Sequence, residues 1–499
     1  MAYNKVVINL ILAVTLMFGT QSVREPARSG SFYPANASTL ASDVQGYFQK
    51  AGTPAVEGHI LAVVSPHAGY QFSGATAAKA FAPVKGRDCT RVILLGTGHA
   101  AHYERGAVLA DWETWSMPGG PVTVDLKAVQ ALSGKPGFKI LDKVHQMEHS
   151  LEVQLPFLQA ALKNFSIIPF VMGGQTTAED AYAIAAALKP YLDDKTLVVV
   201  STDFTHYGPN YQYVPFRDGV AWKMKSLDLG VWDLVLPGNP FPFDAYMQTT
   251  EATVCGERAL MVLCALMPPD AQKHLIAYTS SGEILNDYVN SVGYLAGAFT
   301  GSWGATAVLP VSRPHSGTLT EAEKKQLVKL ARAALRSHVL ADDSLSRFLK
   351  DLKLTDGLSG VSGVFVTLKI HEDLRGCIGS IEGREPLWMG VVHNACNAAS
   401  RDPRFPAVTP SELDAIALEV SVLTPMKPVP SYNDIKLGIH GVVVEKNGRS
   451  AVFLPQVATE TGWNLDQFLS HLSQKAGLKP DDWKQGMTFK VFEAIVIHE

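Results

Sequence analysis

The sequence predicts two domains of different class: an α/β domain with a largely parallel sheet and helices on both faces, then a smaller α+β domain with mostly antiparallel pairing. Three observations predict this. Through the first 300 residues, short β-branched apolar runs end abruptly in polar residues: Ile60–Val64 before SPHAGY, Val92–Leu95 before GTGHAAH, Phe165–Val171 before GGQ, and Leu197–Val200 before STDFTH. Runs so short and so continuously apolar suit strands covered on both faces. Helix-length segments such as Ser150–Leu162 and Ala178–Leu192 lie between them. Alternation of that kind builds parallel sheets. After residue 317 the strands stand closer together and are joined by short turns such as Lys446-Asn447-Gly448, a hairpin signal.

A final strand, Val292–Phe299, closes the first domain near residue 300. Gly301–Gly317 is rich in Gly, Ser and Pro and has no period, which reads as a linker. The second domain, 318–499, opens with Thr320 and Glu323 spaced as a capping box. Leu327, Leu330, Ala331, Ala334 and Leu335 then fall on one face of a helix. Strands follow at Gly363–Ile370, Ala415–Leu423, Gly441–Glu445, Ser450–Leu454 and Thr488–Ile497, with two shorter helices among them. No internal repeat relates the halves.

A chain of 499 residues exceeds one ordinary core, and its 47% apolar and 18% charged content is that of folded domains throughout. Lys+Arg 43 against Asp+Glu 47 gives a net charge of -4, which lacks the basic footprint of a nucleic-acid binder. No nucleotide-cofactor motif stands out. Five cysteines without a CxxC pair suggest neither a disulfide framework nor a zinc finger. Residues 1–22 have the layout of a signal peptide: Lys5, an apolar stretch Val6–Phe18, then small or polar residues. The cleavage site is poor and the stretch is short for a bilayer span of about 20 residues. The expectation is export to the periplasm or membrane tethering, the alternative a cytoplasmic protein whose first segment packs on the domain.

In open α/β sheets ligands sit beyond the carboxyl ends of the strands. Three such ends carry metal-ligating or acid/base groups: His67, His99, and Asp203 with His206. Imidazole suits first-row metals, with a carboxylate or thiolate as complement. Cys255 is the candidate thiolate, since it stands where an apolar helical run begins, and a helix N-terminus lowers a thiol pKa. His102 is an alternative ligand. His149, with Glu152 one turn on, forms either a pocket wall or a helix cap.

The segments GSFYPA, SPHAGYQFSG, LLGTGHAAHY, HSLEVQLPF, STDFTHYG and TVCG, in this order over residues 23–300, resemble the Memo family. That resemblance implies a fold like the class III extradiol dioxygenases. It also implies His67, His99 and Cys255 as ligands of iron or copper, and Asp203 and His206 in the same pocket, His206 at the acid/base position. Those dioxygenases use two histidines and a carboxylate. A softer thiolate at the third corner favours copper(I), zinc or a redox-tuned iron, so ring cleavage does not follow.

In the second domain, DLRGCIGS precedes SRDPRFPAVTPSELD. Arg375, with Gly376 and Gly379 close after it, either presents a guanidinium to an anion or pairs with Asp402, the glycines serving a tight turn. Cys377 reads as a small buried residue rather than a nucleophile. His393 and Cys396 share a helix face without making a metal site. The residues Leu374, Arg375, Gly376, Cys377, Ile378 and Gly379, with Arg401, Asp402 and Arg404, and with HGVVVE and FLPQVATETGW, resemble the AMMECR family. In microbes the two families resemble partners of a radical-SAM protein, the AmmeMemoRadiSam system (proteins B and A), and one chain holding both implies a shared task. The expected function is a metal-dependent redox or oxygen-handling enzyme. The alternatives are a scaffold binding a peptide or small ligand, and an assistant to the radical-SAM partner. Substrate and oligomeric state are not written in the sequence.

Overall fold

The computed structural model describes residues 22–52, 56–304, 309 and 313–499. The segment read as an export signal therefore lies outside the described residues, except for Ser22. Two compact units emerge, one of Met1–Asp244 with Ala252–Leu309 and the other of Ala245–Glu251 with Pro310–Glu499.

The first unit is built on a mixed, mostly parallel sheet. Its centre consists of β1 (Ile60–Ser65), β2 (Arg91–Thr97), β3 (Ser166–Met172), β4 (Thr196–Ser201), β5 (Gln272–Ser280) and β6 (Ser291–Thr300). They lie in the order β3-β2-β4-β1-β6-β5, the first four parallel, β6 antiparallel to β1 and β5 antiparallel to β6. Every residue of β1 and β4 is buried, which is why these runs are apolar throughout instead of alternating. One helical group, α1 (Tyr70–Phe81) with neighbours, packs on β1 and β6, while α2 (Ala178–Leu188) packs against α3 (Glu257–Leu266), which covers β2 and β4. The four expected strands and the closing strand are present with ends shifted by one or two residues. The expected helix Ser150–Leu162 is shorter: a 3-10 turn Glu152–Gln154 leads into Leu155–Ala161, because Pro156 belongs in a first helical turn and cannot lie deep in a helix.

Parallel pairing fixes what the site can be. Ser65 at the end of β1 is in register with Ser201 at the end of β4. Two residues further on, His67 and Asp203 must emerge side by side, and the His67 N–H donates to Asp203 Oδ1 at 2.8 Å.

The second unit holds two four-stranded antiparallel sheets. One runs β8-β7-β9-β14 from β7 (Val364–Ile370), β8 (Asp373–Ser380), β9 (Ile416–Leu423) and β14 (Ala494–His498). The other runs β10-β13-β11-β12 from β10 (Lys427–Val429), β11 (Gly441–Lys446), β12 (Arg449–Phe453) and β13 (Thr488–Phe492). The turn between β11 and β12 is the expected hairpin, with Asn447 and Gly448 both at positive φ. Helix α4 (Glu321–Leu340) opens with the capping box of Thr320 and Glu323, and α5 (Leu387–Ser400) packs on it. The single strand expected over Thr488–Ile497 is in fact two. The chain breaks at Glu493, and its halves join different sheets. Apolar alternation continues through the break, so the sequence pattern hides it.

One buried ion pair anchors the start of the first unit. The Arg24 guanidinium, 1% exposed, lies over the Trp115 ring and donates to Glu152 at 2.7 Å, to His145 O at 2.9 Å and to Glu148 O. Glu152 also accepts from the backbone of Ala27 and Arg28 and from the Tyr33 hydroxyl. This corrects the reading of Glu152 as pocket wall or cap. Glu152→Ala would leave the Arg24 charge buried without its partner, at a cost of about 3–5 kcal/mol. Denaturant unfolding of the intact chain measures this, and a loss under about 1 kcal/mol would contradict a buried pair.

Candidate metal centre

His67 follows the end of β1, His99 the end of β2, and His149 lies on the loop before Leu155–Ala161. Their candidate ligand atoms lie within 4.8 Å of one another, the group of histidines among the described residues that can hold a metal ion. Ring centroids are 5.1 Å apart for His67 and His99, 4.6 Å for His99 and His149, and 5.5 Å for His67 and His149. Cys255 borders the group, its Sγ 3.1 Å from His67 Nε2. The sequence alone points to Cys255 as the third ligand and to His149 as a pocket wall or helix cap, whereas the structure makes His149 the third imidazole. His149 enters because residues 148–151 are not helical, so the helical spacing that joined it to Glu152 does not operate.

The residue that assembles the group is Glu148, 1% exposed, which sequence reasoning passed over. Its carboxylate accepts from the backbone N–H of His99 and of Ala100 and from His99 Nδ1 at 3.0 Å. The two backbone donors share Oε2, while Oε1, which takes the His99 ring, also accepts the N–H groups of His149 and Ser150, both at 2.8 Å. Burial alone would raise its pKa, but the His99 hydrogen bond, the histidine charges and the backbone donors outweigh that and hold it well below the usual carboxylate range. Such a carboxylate behind a ligating imidazole fixes the ring and leaves Nε2 outward. The only trace in the sequence was its place directly before His149.

His67 is similarly fixed, with Nδ1 3.0 Å from Ser201 Oγ, which itself is held by Gln154 Nε2 at 2.8 Å. Burial, then the neighbouring His99 and His149, lower the His67 pKa well below its ordinary value. Burial also lowers His149, to about 4. His149 Nδ1 is buried without a hydrogen bond, 3.4 Å from the Glu148 carboxylate. Three clustered imidazoles, two of them oriented through Nδ1 and the third with an unsatisfied buried ring nitrogen, are a donor set that fits a borderline first-row metal.

Cys255 departs from expectation. It precedes α3, yet burial, with Asp203 nearby, pushes its thiol pKa up instead of down. The Asp203 N–H donates to Sγ at 3.1 Å, and Gly256 lets the loop come this close, since a Cβ there would collide with Thr202. Asp203 is buried and its pKa is raised by that burial, against the pull of His206. Its role visible here is to hold the His67 backbone. His206 Nδ1 lies 3.0 Å from the carbonyls of both Phe204 and Thr253, so it must donate, and neutral His206 presents Nε2 as an acceptor. His102 stays outside the three-histidine group. It lines an adjoining cavity of about 220 Å³ with Cys255, Tyr103, Met172, Glu257 and Arg258.

A sequence profile described as Memo-like protein matches residues 24–298. The chain belongs to the Memo-like family. An AMMECR1 profile matches residues 328–497, so this Memo-like chain carries both domains in tandem. A MEMO1 family protein of Thermococcus onnurineus is 32% identical over 290 residues, covering 56% of this chain and 99% of its own. A protein of Methanothermobacter thermautotrophicus is 43% identical over 192 residues, 36% of this chain and 96% of its own. The crystal structure of an uncharacterized protein from Pyrococcus horikoshii aligns at 34% identity and TM-score 0.32, over 36% of this chain and 93% of that one.

The AMMECR1 motif is placed differently from expectation. DLRGCIGS is strand β8, not a turn, and Gly376 and Gly379 have no positive φ. They are needed for close approach: a Cβ at Gly376 would strike Ala398 O, and one at Gly379 the Phe365 ring. Leu374 is exposed. Ile378 is in register with Val366 of β7. Arg375 pairs with Glu412 at 2.7 Å and with the Pro406 and Ala407 carbonyls, so the expected pairing with Asp402 is corrected. Asp402 instead pairs with Arg404 at 2.7 Å and accepts the Cys377 N–H at 2.8 Å, bringing the two halves of the motif together. Burial raises the Cys377 thiol pKa, consistent with a packed residue and not a nucleophile. Arg401 is exposed, 3.8 Å from Glu251.

These shifts set a pH response. Burial lowers both His145 and His149 from 6.5 to about 4, and His67 shifts the same way. Between those values the unfolded chain binds more protons than the folded one, so stability falls as pH falls from 6.5 to 4. Calorimetry of metal-free protein should show the first unit's transition moving down across this window, and a flat profile would count against neutral buried imidazoles.

Proposed function

We propose that this Memo-like domain binds one transition metal ion, iron or copper with zinc as the other candidate, through His67, His99 and His149 beside Cys255, and performs redox or oxygen-handling chemistry on a small substrate. The observation that carries the reading is the convergence of three imidazoles, two of them on loops held by the buried Glu148 carboxylate. A bound ion of this kind would supply Lewis acidity and, for iron or copper, one-electron chemistry. The protein's own groups supply the rest. Glu148 and Ser201 fix the imidazoles, Asp203 holds the His67 loop, and the cavity beside Cys255 gives a substrate space rimmed by Arg258 and His102. His206 Nε2 is the acceptor for a substrate proton, its other nitrogen being committed to two carbonyls. A radical-SAM protein is the partner proposed for the tandem chain, and export remains the proposal for the N-terminal segment. Among the described residues no helix is long and apolar enough to cross a membrane.

Elemental analysis of chain purified without a chelating tag should find about one metal per chain. His67→Ala and His149→Ala should abolish it, and Glu148→Gln should weaken binding about 10–100-fold. Protein that folds, carries no metal and rebinds neither iron, copper nor zinc would leave a scaffold that binds ligand in the same cavity.

A further inference from the structure

The second unit contains a polar cavity of about 470 Å³. Six of the residues around it are Ser400, His338, Arg384, Arg401, Glu385 and His393. His338 is in the last turn of α4 and Ser400 is the last residue of α5, so the packing of these two helices brings them together. His338 Nε2 is 2.9 Å from Ser400 Oγ, and His338 Nδ1 is 2.8 Å from Thr249 O, within the same unit. A carbonyl only accepts, so Nδ1 must carry the proton. In the neutral ring Nε2 is then a lone pair aimed at the serine hydroxyl, the arrangement of a nucleophile with its general base and an orienting acceptor. The hydroxyl also reaches Cys396 O at 3.0 Å, its resting alternative.

The surroundings indicate the substrate. His393 Nδ1 is held by Glu385 at 2.8 Å, while its Nε2 is buried without a partner in the cavity wall. Arg384 and Arg401 add two guanidinium groups, the side chains suited to carboxylate recognition. Arg401 has only a distant, exposed contact with Glu251 at 3.8 Å.

We propose that this cavity is a hydrolytic site in which Ser400 is the nucleophile and His338 its base, acting on an ester or thioester of a small acid that bears a free carboxylate. Ser400 Oγ attacks the acyl carbon as its proton passes to His338 Nε2. The bond from the acyl carbon to the alcohol or thiol breaks, and His338 returns the proton to that leaving group. Water then attacks the acyl-serine through the same base, releasing the acid and restoring the hydroxyl.

The test treats the full chain with a fluorophosphonate probe and maps the modified residue by peptide mass spectrometry. Labelling at Ser400 is expected, absent in Ser400→Ala and slowed at least about 10²-fold in His338→Gln, the span general-base removal usually costs. A wild-type chain unlabelled at Ser400 overturns the proposal without any variant, and so does equal labelling in a folded His338→Gln chain. For the substrate class, p-nitrophenyl hemisuccinate should be hydrolysed faster than p-nitrophenyl acetate. Arg384→Ala with Arg401→Ala should reduce that preference about tenfold, the factor one charge-assisted contact supplies. Wild-type preference for the acetate would overturn the anionic assignment.

Discussion

The first unit's site depends on one buried carboxylate. Glu148 accepts from the backbone at His99 and Ala100, from the backbone at His149 and Ser150, and from the His99 ring. Two loops far apart in sequence therefore share one acceptor, and neither can move alone without leaving a buried donor or acceptor unsatisfied, at about 1–3 kcal/mol each. This shared hydrogen bonding positions His99 and His149, while His67 is held by Asp203 and Ser201 at the strand ends.

The strands do the coarser work. Parallel register puts His67 beside Asp203, and the adjacent strand brings His99 to the same rim. Arg24 then closes the construction from behind: it binds the carbonyls of His145 and Glu148 together with the Glu152 carboxylate. The loop carrying Glu148 and His149 is thus held at its own backbone by a residue from the start of the unit. Rigid strand ends set the neighbourhood, and buried charges set the final orientation.

Sequence reading recovers the parts governed by periodicity. The apolar runs of β1 to β4, the capping box at Thr320 and the Asn447-Gly448 hairpin follow local rules, and they stand where those rules put them. His67, His99 and Cys255 were legible because each sits at an element's edge, where an apolar run stops. Glu148 was not, because its significance lies in which distant N–H groups reach it. His149 was misjudged for a related reason, since helical spacing was applied to residues that are not helical. The same limit explains Arg375, whose partner Glu412 is ten residues beyond the expected Asp402, and the split of Thr488–Ile497 between two sheets at Glu493.

The protonation pattern around the three histidines follows from burial and bears on the metal proposed for it. Burial keeps His67 and His149 neutral and raises the pKa values of Asp203 and Cys255, while Glu148, served by several donors, is the one of these groups pushed firmly toward its ionised form. A cation held by the three imidazoles would invert the preference at Cys255, because the field of a nearby ion stabilises a thiolate more than burial penalises it. Binding would then release a proton, and affinity would rise with pH for the same reason that the empty cluster is weakened by acid. The thiol beside His67 would thus couple occupancy of the cluster to the charge of the adjoining cavity, which Cys255 lines together with His102 and Arg258.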